Sequence, residues 1–271
     1  MRLTKENLRI NPVLVNEKIT RFIKTVVEQA SKKGVVLGLS GGIDSSTVAT
    51  LCVSALGADN VLGLIMPSTT TILQDVEDAK LIAKRLGIQY ELINIIPIEE
   101  KFSTICHHYD PANLIGVGNL KPRVRMTVLY YHANSLNNLV VGTGNKSELM
   151  IGYYTKYGDG GADILPLGDL YKTQVKFLAE YLEVPKNIIQ KTPSAGLWIG
   201  QTDEEEIGIK YEVLDLILYG LVELNMPPLQ IAGDVGVSFD TVNRVLNMVK
   251  MSEHKRASAP VVKVQTQNME A

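Results

Sequence analysis

The stretch Val35-Val36-Leu37-Gly38-Leu39-Ser40-Gly41-Gly42-Ile43-Asp44-Ser45-Ser46 decides the fold. Val35 to Leu39 is a short apolar run of the kind that forms a strand buried on both faces. A glycine turn follows, and apolar spacing then predicts a helix from about Asp44 to Leu56. Gly41 and Gly42 permit a tight turn and a close backbone approach that any Cβ would obstruct. The free N–H groups and positive end of the following helix suit a phosphate, and Ser40, Ser45 and Ser46 add hydroxyl donors. Asp44 fits beside a phosphate when a divalent cation bridges them, and Mg2+ prefers one or two carboxylates plus phosphate oxygens. An ordinary strand-to-helix turn with a Ser or Asp cap is the plainer reading. The SGG-x-DS pattern after an apolar strand is more specific than that, and it lacks the GK[ST] of a Walker loop.

Working outward, residues 13–33 place Val15, Ile19, Phe22, Ile23, Val26 and Val27 at helical spacing and stop at Gly34. A second strand is expected over 61–66, ended by Pro67, then a helix over 74–86 closed by Gly87. A third strand over 90–95, a helix over 119–136 and a fourth strand over 139–141 complete the pattern. Alternating strands and helices predict an α/β fold: a parallel sheet with helices on both faces and right-handed crossovers. Ligands of such sheets bind beyond the carboxyl ends of the strands, where the glycine turn falls. Beyond residue 145 the pattern changes. Residues 152–163 (GYYTKYGDGGAD) and 191–206 (KTPSAGLWIGQTDEEE) read as active-site lids, the second one mobile. Helices are expected over 172–183, 211–224 and 227–254, forming a helical C-terminal part. The division is one domain over 1–260, with a nucleotide-binding core at about 34–170, a helical part at 171–260 and a frayed tail over 261–271.

At 271 residues the chain is long enough for a full core. No stretch approaches the roughly 20 apolar residues of a membrane helix, and MRLTKENLRINP has no apolar h-region. A net charge of −2 gives no bulk reason to expect nucleic acid. Cys52 and Cys106 lie far apart in apolar contexts and read as free thiols, with no disulfide framework or zinc spacing. Together these features predict a cytoplasmic globular protein.

The SGGIDSS loop resembles the pyrophosphate-gripping loop of the ATP pyrophosphatase superfamily, whose members adenylate a substrate oxygen and let a nucleophile displace AMP. The run Val140-Val141-Gly142-Thr143-Gly144-Asn145-Lys146-Ser147-Glu148 follows the fourth strand, and Asn145 and Glu148 also read as a helix capping box. With GYYTKYGDGGAD, Lys172, the TPSAGLW stretch and Glu253-His254-Lys255, the chain resembles the NAD synthetase family over about residues 10–260.

That resemblance implies an adenine-nucleotide-hydrolase-like fold and a ligase making NAD from deamido-NAD, ATP and ammonia through a deamido-NAD adenylate. It implies that Gly38, Leu39, Ser40, Gly41, Gly42, Ile43, Asp44 and Ser45 hold ATP, with Thr143, Lys172 and Ser194 also on the nucleotide. Ser194 stands where the family pattern leads one to expect threonine, and it keeps the hydroxyl. Asp44 and Glu148 would hold Mg2+. Arg123, Lys156, Asp163, His254 and Lys255 would bind deamido-NAD, the last two across a homodimer interface. Asp159 is the implied group that places or deprotonates ammonium, and Lys172 neutralises charge on the leaving pyrophosphate. With the chain filled by the synthetase region and neither cysteine resembling a glutaminase nucleophile, ammonia is the expected nitrogen donor.

Two other readings compete. Another adenylating enzyme of the superfamily, such as a tRNA modifier, explains the first loop but not GYYTKYGDGGAD. Residues 229–246 (LQIAGDVGVSFDTVNRVL) resemble a helix-turn-helix. Arg244 alone would serve phosphates there, Asp240 opposes it, and plain helical packing is favoured. Cys106-His107-His108 point their donors apart, which favours a loop or helix end over a metal site.

Overall fold

The computed structural model describes residues 2–198 and 200–263. Strand β1 (Gly34–Gly38) lies within a four-stranded parallel sheet of order β3-β2-β1-β4, flanked by β2 (Val61–Ile65) and β4 (Asn138–Val141). Val35 stands opposite Val61 on one side and Leu139 on the other, and β3 (Gln89–Leu92) pairs with the far side of β2.

The two-residue period of β1 sends side chains to both faces. Val35 and Leu37 join α1 (Pro12–Gln29), α2 (Ile43–Leu56) and α7 (Lys172–Tyr181) through Ile23, Val27, Val48, Leu51, Val175 and Leu178. Val36 packs the other way, with Leu64 and Val140, against Met126, Leu129 and Ala133 of α5 (Leu114–Leu136). Both faces of the sheet are therefore covered, as expected from its apolar strands. Helix α3 (Leu73–Leu86) closes at Gly87, as read from the sequence.

Boundaries moved where local chemistry was ambiguous. Helix α5 starts at Leu114, not at 119, because the Asn113 side chain accepts the Gly116 N–H and the helix carries Pro122 within it. Helix α4 (Ile96–Ile105) was not anticipated. Cys106 forms its C-cap, and His107 and His108 fall in the turn that follows. The helix expected over 211–224 is α10 (Tyr211–Leu218) followed by a π-helical turn, Tyr219–Glu223. The stretch 227–254 breaks at Gly236 and Ser252 into α11 (Pro228–Val235), α12 (Phe239–Met251) and α13 (Glu253–Arg256). Short helices α6 (Lys146–Ile151), α8 (Lys186–Ile189) and α9 (Asp203–Ile207) complete the order.

The helical part has its own core of Tyr171, Tyr211, Leu214, Ile217, Ile231, Val242 and Val245, joined by Leu3 and Leu8 from the N-terminal segment. Helices α11 and α12 turn their apolar faces into this core. Arg244 donates to the Gly208 carbonyl at 2.9 Å, so the helix-turn-helix resemblance is accounted for by packing. Cys52 is buried, and burial pushes its pKa up to about 12. Among the described residues no helix is long and apolar enough to cross a membrane. Of the anticipated tail, residues 264–271 lie outside the described residues, and 261–263 are exposed without regular structure.

Gly41 fixes the turn after β1. Its φ is +74°, and a Cβ there would lie 2.2 Å from the Asp75 carbonyl oxygen. Gly41→Ala is expected to cost about 2–3 kcal/mol through strain and clash, lowering the thermal midpoint by roughly 5–10 °C. Gly87→Ala, with φ +67° but open space around it, should cost about 1 kcal/mol. Equal midpoints for the two variants would refute this account of the turn.

Candidate active site

The loop between β1 and α2 is shaped from within. Ser45 Oγ and Ser46 Oγ both donate to the Gly42 carbonyl, at 3.1 and 2.8 Å, and Ser45 Oγ lies 3.0 Å from Ser40 Oγ. Ser45 and Ser46 are buried and their hydroxyls are engaged within the loop, as turn-holders. No side chain caps the start of α2 at Gly42, so its first N–H groups open onto the cleft beyond the strand ends. That cleft has a volume of about 870 Å³, and Gly38, Leu39, Ser40, Gly42, Ile43, Asp44, Thr143, Glu148, Lys172 and Ser194 all reach its wall.

Three elements converge on one ammonium. Lys172, the first residue of α7, places Nζ 2.6 Å from Asp44 Oδ2 on α2 and 3.1 Å from Glu148 Oε1 on α6. The Asn145–Glu148 capping box is formed: Glu148 N donates to Asn145 Oδ1, and Asn145 N donates to Glu148 Oε2. Asn145 Nδ2 also donates to Asp44 Oδ1 at 3.1 Å, tying the two acidic elements together. Lys172 is only 3% exposed. Burial alone would discharge it, but the carboxylates of Asp44 and Glu148 outweigh that and raise its pKa, so it stays a cation. Burial pushes Glu148 up to about 7; Lys172 opposes the rise, while Asp44 and Asp203 add to it. The Lys172 ammonium also lies 5.3 Å from the centre of the Tyr211 ring, whose hydroxyl donates to Asp203 Oδ2 at 3.1 Å.

Behind Lys172 stands a second buried carboxylate. Asp215 of α10, fully buried, accepts from Ser147 Oγ at 2.5 Å and from Thr173 N at 2.8 Å, and Ser147 Oγ accepts from Lys172 N at 2.9 Å. Helices α6, α7 and α10 are thereby locked where α7 begins.

The far wall of the cleft is the glycine- and tyrosine-rich loop. Asp159 accepts from Thr155 N at 2.9 Å and faces the cleft, which Arg125 and Lys255 also line. Asp159 is exposed to the cleft, and desolvation by the surrounding protein raises its pKa; the Thr155 N–H, Lys255 and Arg125 pull the other way. Gly160 leaves room for Tyr154, whose ring would stand 2.3 Å from a Cβ there. Above, residues 194–198 are held down by Thr70 Oγ1 donating to Gly196 O at 2.6 Å and Lys121 Nζ donating to Leu197 O at 2.7 Å. The Ser194 hydroxyl donates to Gln201 O at 2.7 Å, inside that segment.

Arg123, Lys156, Asp163 and His254 do not line the cleft. Arg123 Nε donates to Lys156 O at 3.3 Å, and Lys156 Nζ bonds the His254 carbonyl. Lys255 donates to the carbonyls of Gly152 and Tyr154 of its own chain, at 2.6 and 2.8 Å. Asp163 accepts from Val140 N and Tyr130 OH, pinning β4 to α5.

Sequence reasoning passed over Lys191, which donates to Asp75 at 2.9 Å, to Asp78 at 2.5 Å and to the Gly41 carbonyl at 3.1 Å, clamping the glycine turn. It also passed over Asp203 and Asp215. Asp215 carried a signal, a carboxylate inside the otherwise apolar Val213–Leu218 run.

A parallel α/β sheet with an uncapped glycine turn and an acid-bound lysine at its carboxyl edge defines a nucleotide-binding enzyme of the pyrophosphate-loop type. The NAD synthase family model matches residues 15–259, and the chain belongs to that family. It is 52% identical over 250 residues to an "NH(3)-dependent NAD(+) synthetase" of Methanocaldococcus jannaschii, covering 91% of this chain and 95% of that one. Two solved structures are also similar. An "NMN synthetase" from Francisella tularensis has a TM-score of 0.83 at 37% identity, covering 94% of this chain and 99% of that one. An "NH3-dependent NAD synthetase" from Campylobacter jejuni has a TM-score of 0.79 at 32% identity, covering 94% and 100%.

Burial pushes the Asp215 carboxyl up from 3.8 to about 6, against the pull of Ser147 and Thr173. With the folded pKa above the unfolded one, its contribution is most favourable below about pH 4 and is lost as pH rises through about 6. Wild-type stability measured against Asp215→Asn should therefore fall by up to about 3 kcal/mol between those limits and then level off. A flat difference in urea melts across that window would contradict the assignment.

Proposed function

We propose that this ligase forms NAD from deamido-NAD, ATP and ammonia through a deamido-NAD adenylate, releasing AMP and pyrophosphate. The carrying observation is one cleft lined by the glycine turn, by Lys172 with Asp44 and Glu148, and by Asp159. A carboxylate is a poor electrophile because oxide is a poor leaving group. Its oxygen attacks the α-phosphorus, the α–β phosphoanhydride bond breaks, and pyrophosphate leaves. The α2 N–H groups, Ser40 and Lys172 neutralise that leaving charge, each such contact being worth a few kcal/mol of barrier. Gly38, Leu39, Gly41, Gly42 and Ile43 give the backbone approach, Ser45 shapes the turn, and Thr143 and Ser194 complete the nucleotide site.

Asp44 and Glu148 are the residues that would hold Mg2+. The fit is supported by a bridging cation, the Lys172 ammonium, already standing between two hard oxygen donors. When bound, Mg2+ supplies Lewis-acid stabilisation of phosphate oxygens. Asp159 binds ammonium through charge and takes its proton, leaving ammonia to attack the adenylate carbonyl as the C–O bond to AMP breaks. Segments 152–163 and 192–198 exclude water, which would hydrolyse the adenylate.

Arg123, Lys156, Asp163, His254 and Lys255 form the deamido-NAD side, Lys255 on the cleft wall and the other four outside it. A homodimer belongs to the same reading, supported by exposed Leu114, Ile115 and Tyr131 along α5 and Tyr157 in the neighbouring loop. Two unpaired thiols suit the reducing cytoplasm.

The test is a turnover assay with ATP, Mg2+, ammonium and either deamido-NAD or nicotinate mononucleotide, with glutamine replacing ammonium in parallel. NAD formed with stoichiometric AMP, from ammonium and not glutamine, is the expected result. Amidation of the mononucleotide alone would move the substrate to the one that the Francisella protein's name implies, and AMP release without amide would reject both. Asp159→Asn should lower amide formation by about a hundredfold or more while adenylate-dependent pyrophosphate exchange persists. Equal loss of both would remove Asp159 from its role.

A further inference from the structure

Lys172 stands in the place that Asp44 and Glu148 would give to a divalent cation, 2.6 and 3.1 Å from their oxygens. A divalent cation placed on the Asp44 and Glu148 oxygens that Lys172 now holds would meet its ammonium at close range, and the like charges repel. If the metal reading above holds, on which this inference rests, Lys172 needs a second partner, because an unpaired buried ammonium is costly.

Asp203 has the one feature that such a partner requires. The residue is 4% exposed and lines the same cleft, yet its Oδ1 is buried with no hydrogen-bond partner. Native structures rarely leave a buried carboxylate oxygen without a donor, and each instance calls for a cause. Its other oxygen is fixed by Tyr211 OH, and the ring of that same Tyr211 already carries the Lys172 ammonium. The carboxylate is close enough to act on the charge of Lys172. Among the described residues no group of three His, Cys, Asp or Glu side chains is gathered as a metal site.

We propose that Asp203 is the second station of Lys172: when a divalent cation occupies Asp44 and Glu148 and no nucleotide phosphate is there to meet the ammonium, the lysine turns across the Tyr211 ring to the free Asp203 oxygen. Asp203 acts through Lys172, as a positioning residue. It begins α9, at the end of the segment that Lys121 and Thr70 hold over the cleft. Filling the cation site therefore also draws on the segment that covers it.

The experiment measures Mn2+ binding by electron paramagnetic resonance, without nucleotide and with a non-hydrolysable ATP analogue, in four full-length proteins. These are wild type, Lys172→Met, Asp203→Asn and the double variant. Lys172→Met should bind Mn2+ about tenfold tighter than wild type, and Asp203→Asn about tenfold weaker. In the double variant the Asp203 effect should shrink below about threefold, because the lysine that it serves is gone. Lys172→Gln and Asp203→Ser are measured alongside, with thermal midpoints, so that a folding failure of one variant does not decide the outcome. An Asp203→Asn protein that binds like wild type overturns the inference. So does a tenfold loss that persists in the Lys172→Met background, which would make Asp203 a direct ligand. Absence of Mn2+ binding in all four proteins, even with the nucleotide analogue, overturns the metal reading itself and this inference with it.

Discussion

The ammonium of Lys172, buried between Asp44 and Glu148, is the interaction on which the rest of the site depends. Its position is electrostatically awkward. As the first residue of α7, it places a cation at the positive end of that helix's dipole. Burial compounds the penalty. The structure offsets both with anions: Asp44 and Glu148 at the side-chain end, and Asp215 at the backbone end, where it accepts the Thr173 N–H. Removing Asp44 or Glu148 leaves the buried ammonium short of a counter-charge.

This arrangement explains why a small sheet carries a large helical part. The sheet alone positions the glycine turn and, through β4, the acid of α6. It does not hold the start of α7 or place Asp203. Those come from α9 and α10, anchored in the core around Tyr171, Tyr211, Leu214 and Ile217. Leu3 and Leu8 from the other end of the chain close that core, so the N-terminal segment supports a site far from it in sequence. Tyr211 serves both levels, filling the core with its ring face while its hydroxyl fixes Asp203.

The parallel sheet was legible because β1, β2 and β4 are short apolar runs while helices such as α1 and α3 are amphipathic, and period separates those cases. The glycine turn was legible because a Cβ at Gly41 would meet backbone, which leaves a strict mark on sequence. The start of α5 was not, because Gly116 and Gly118 are poor helix formers that tertiary packing holds helical, and α4 was missed as well. The roles of Ser45 and Ser46 were hidden for another reason. A hydroxyl in a phosphate loop can donate outward or inward, and only the fold shows both donating to Gly42 O. Lys191 and Asp215 are joined to their partners across dozens of residues, and no local pattern records those contacts, although Asp215 stands out as a carboxylate in an apolar run.

The covering segment illustrates the same limit. Its latches are Thr70 and Lys121, but what they grip are the carbonyls of Gly196 and Leu197. A backbone acceptor is supplied by any residue, so the gripped side leaves no trace in the sequence. The gripping side is conspicuous only once folded: Lys121 is 3% exposed, its pKa is lowered by burial, and a carbonyl is its near partner. Burying a lysine to hold a carbonyl is expensive unless the segment's position matters more than the cost. An adenylate must be kept from water while remaining open to ammonium, and a lid fixed by its backbone over an acid-lined floor satisfies both demands.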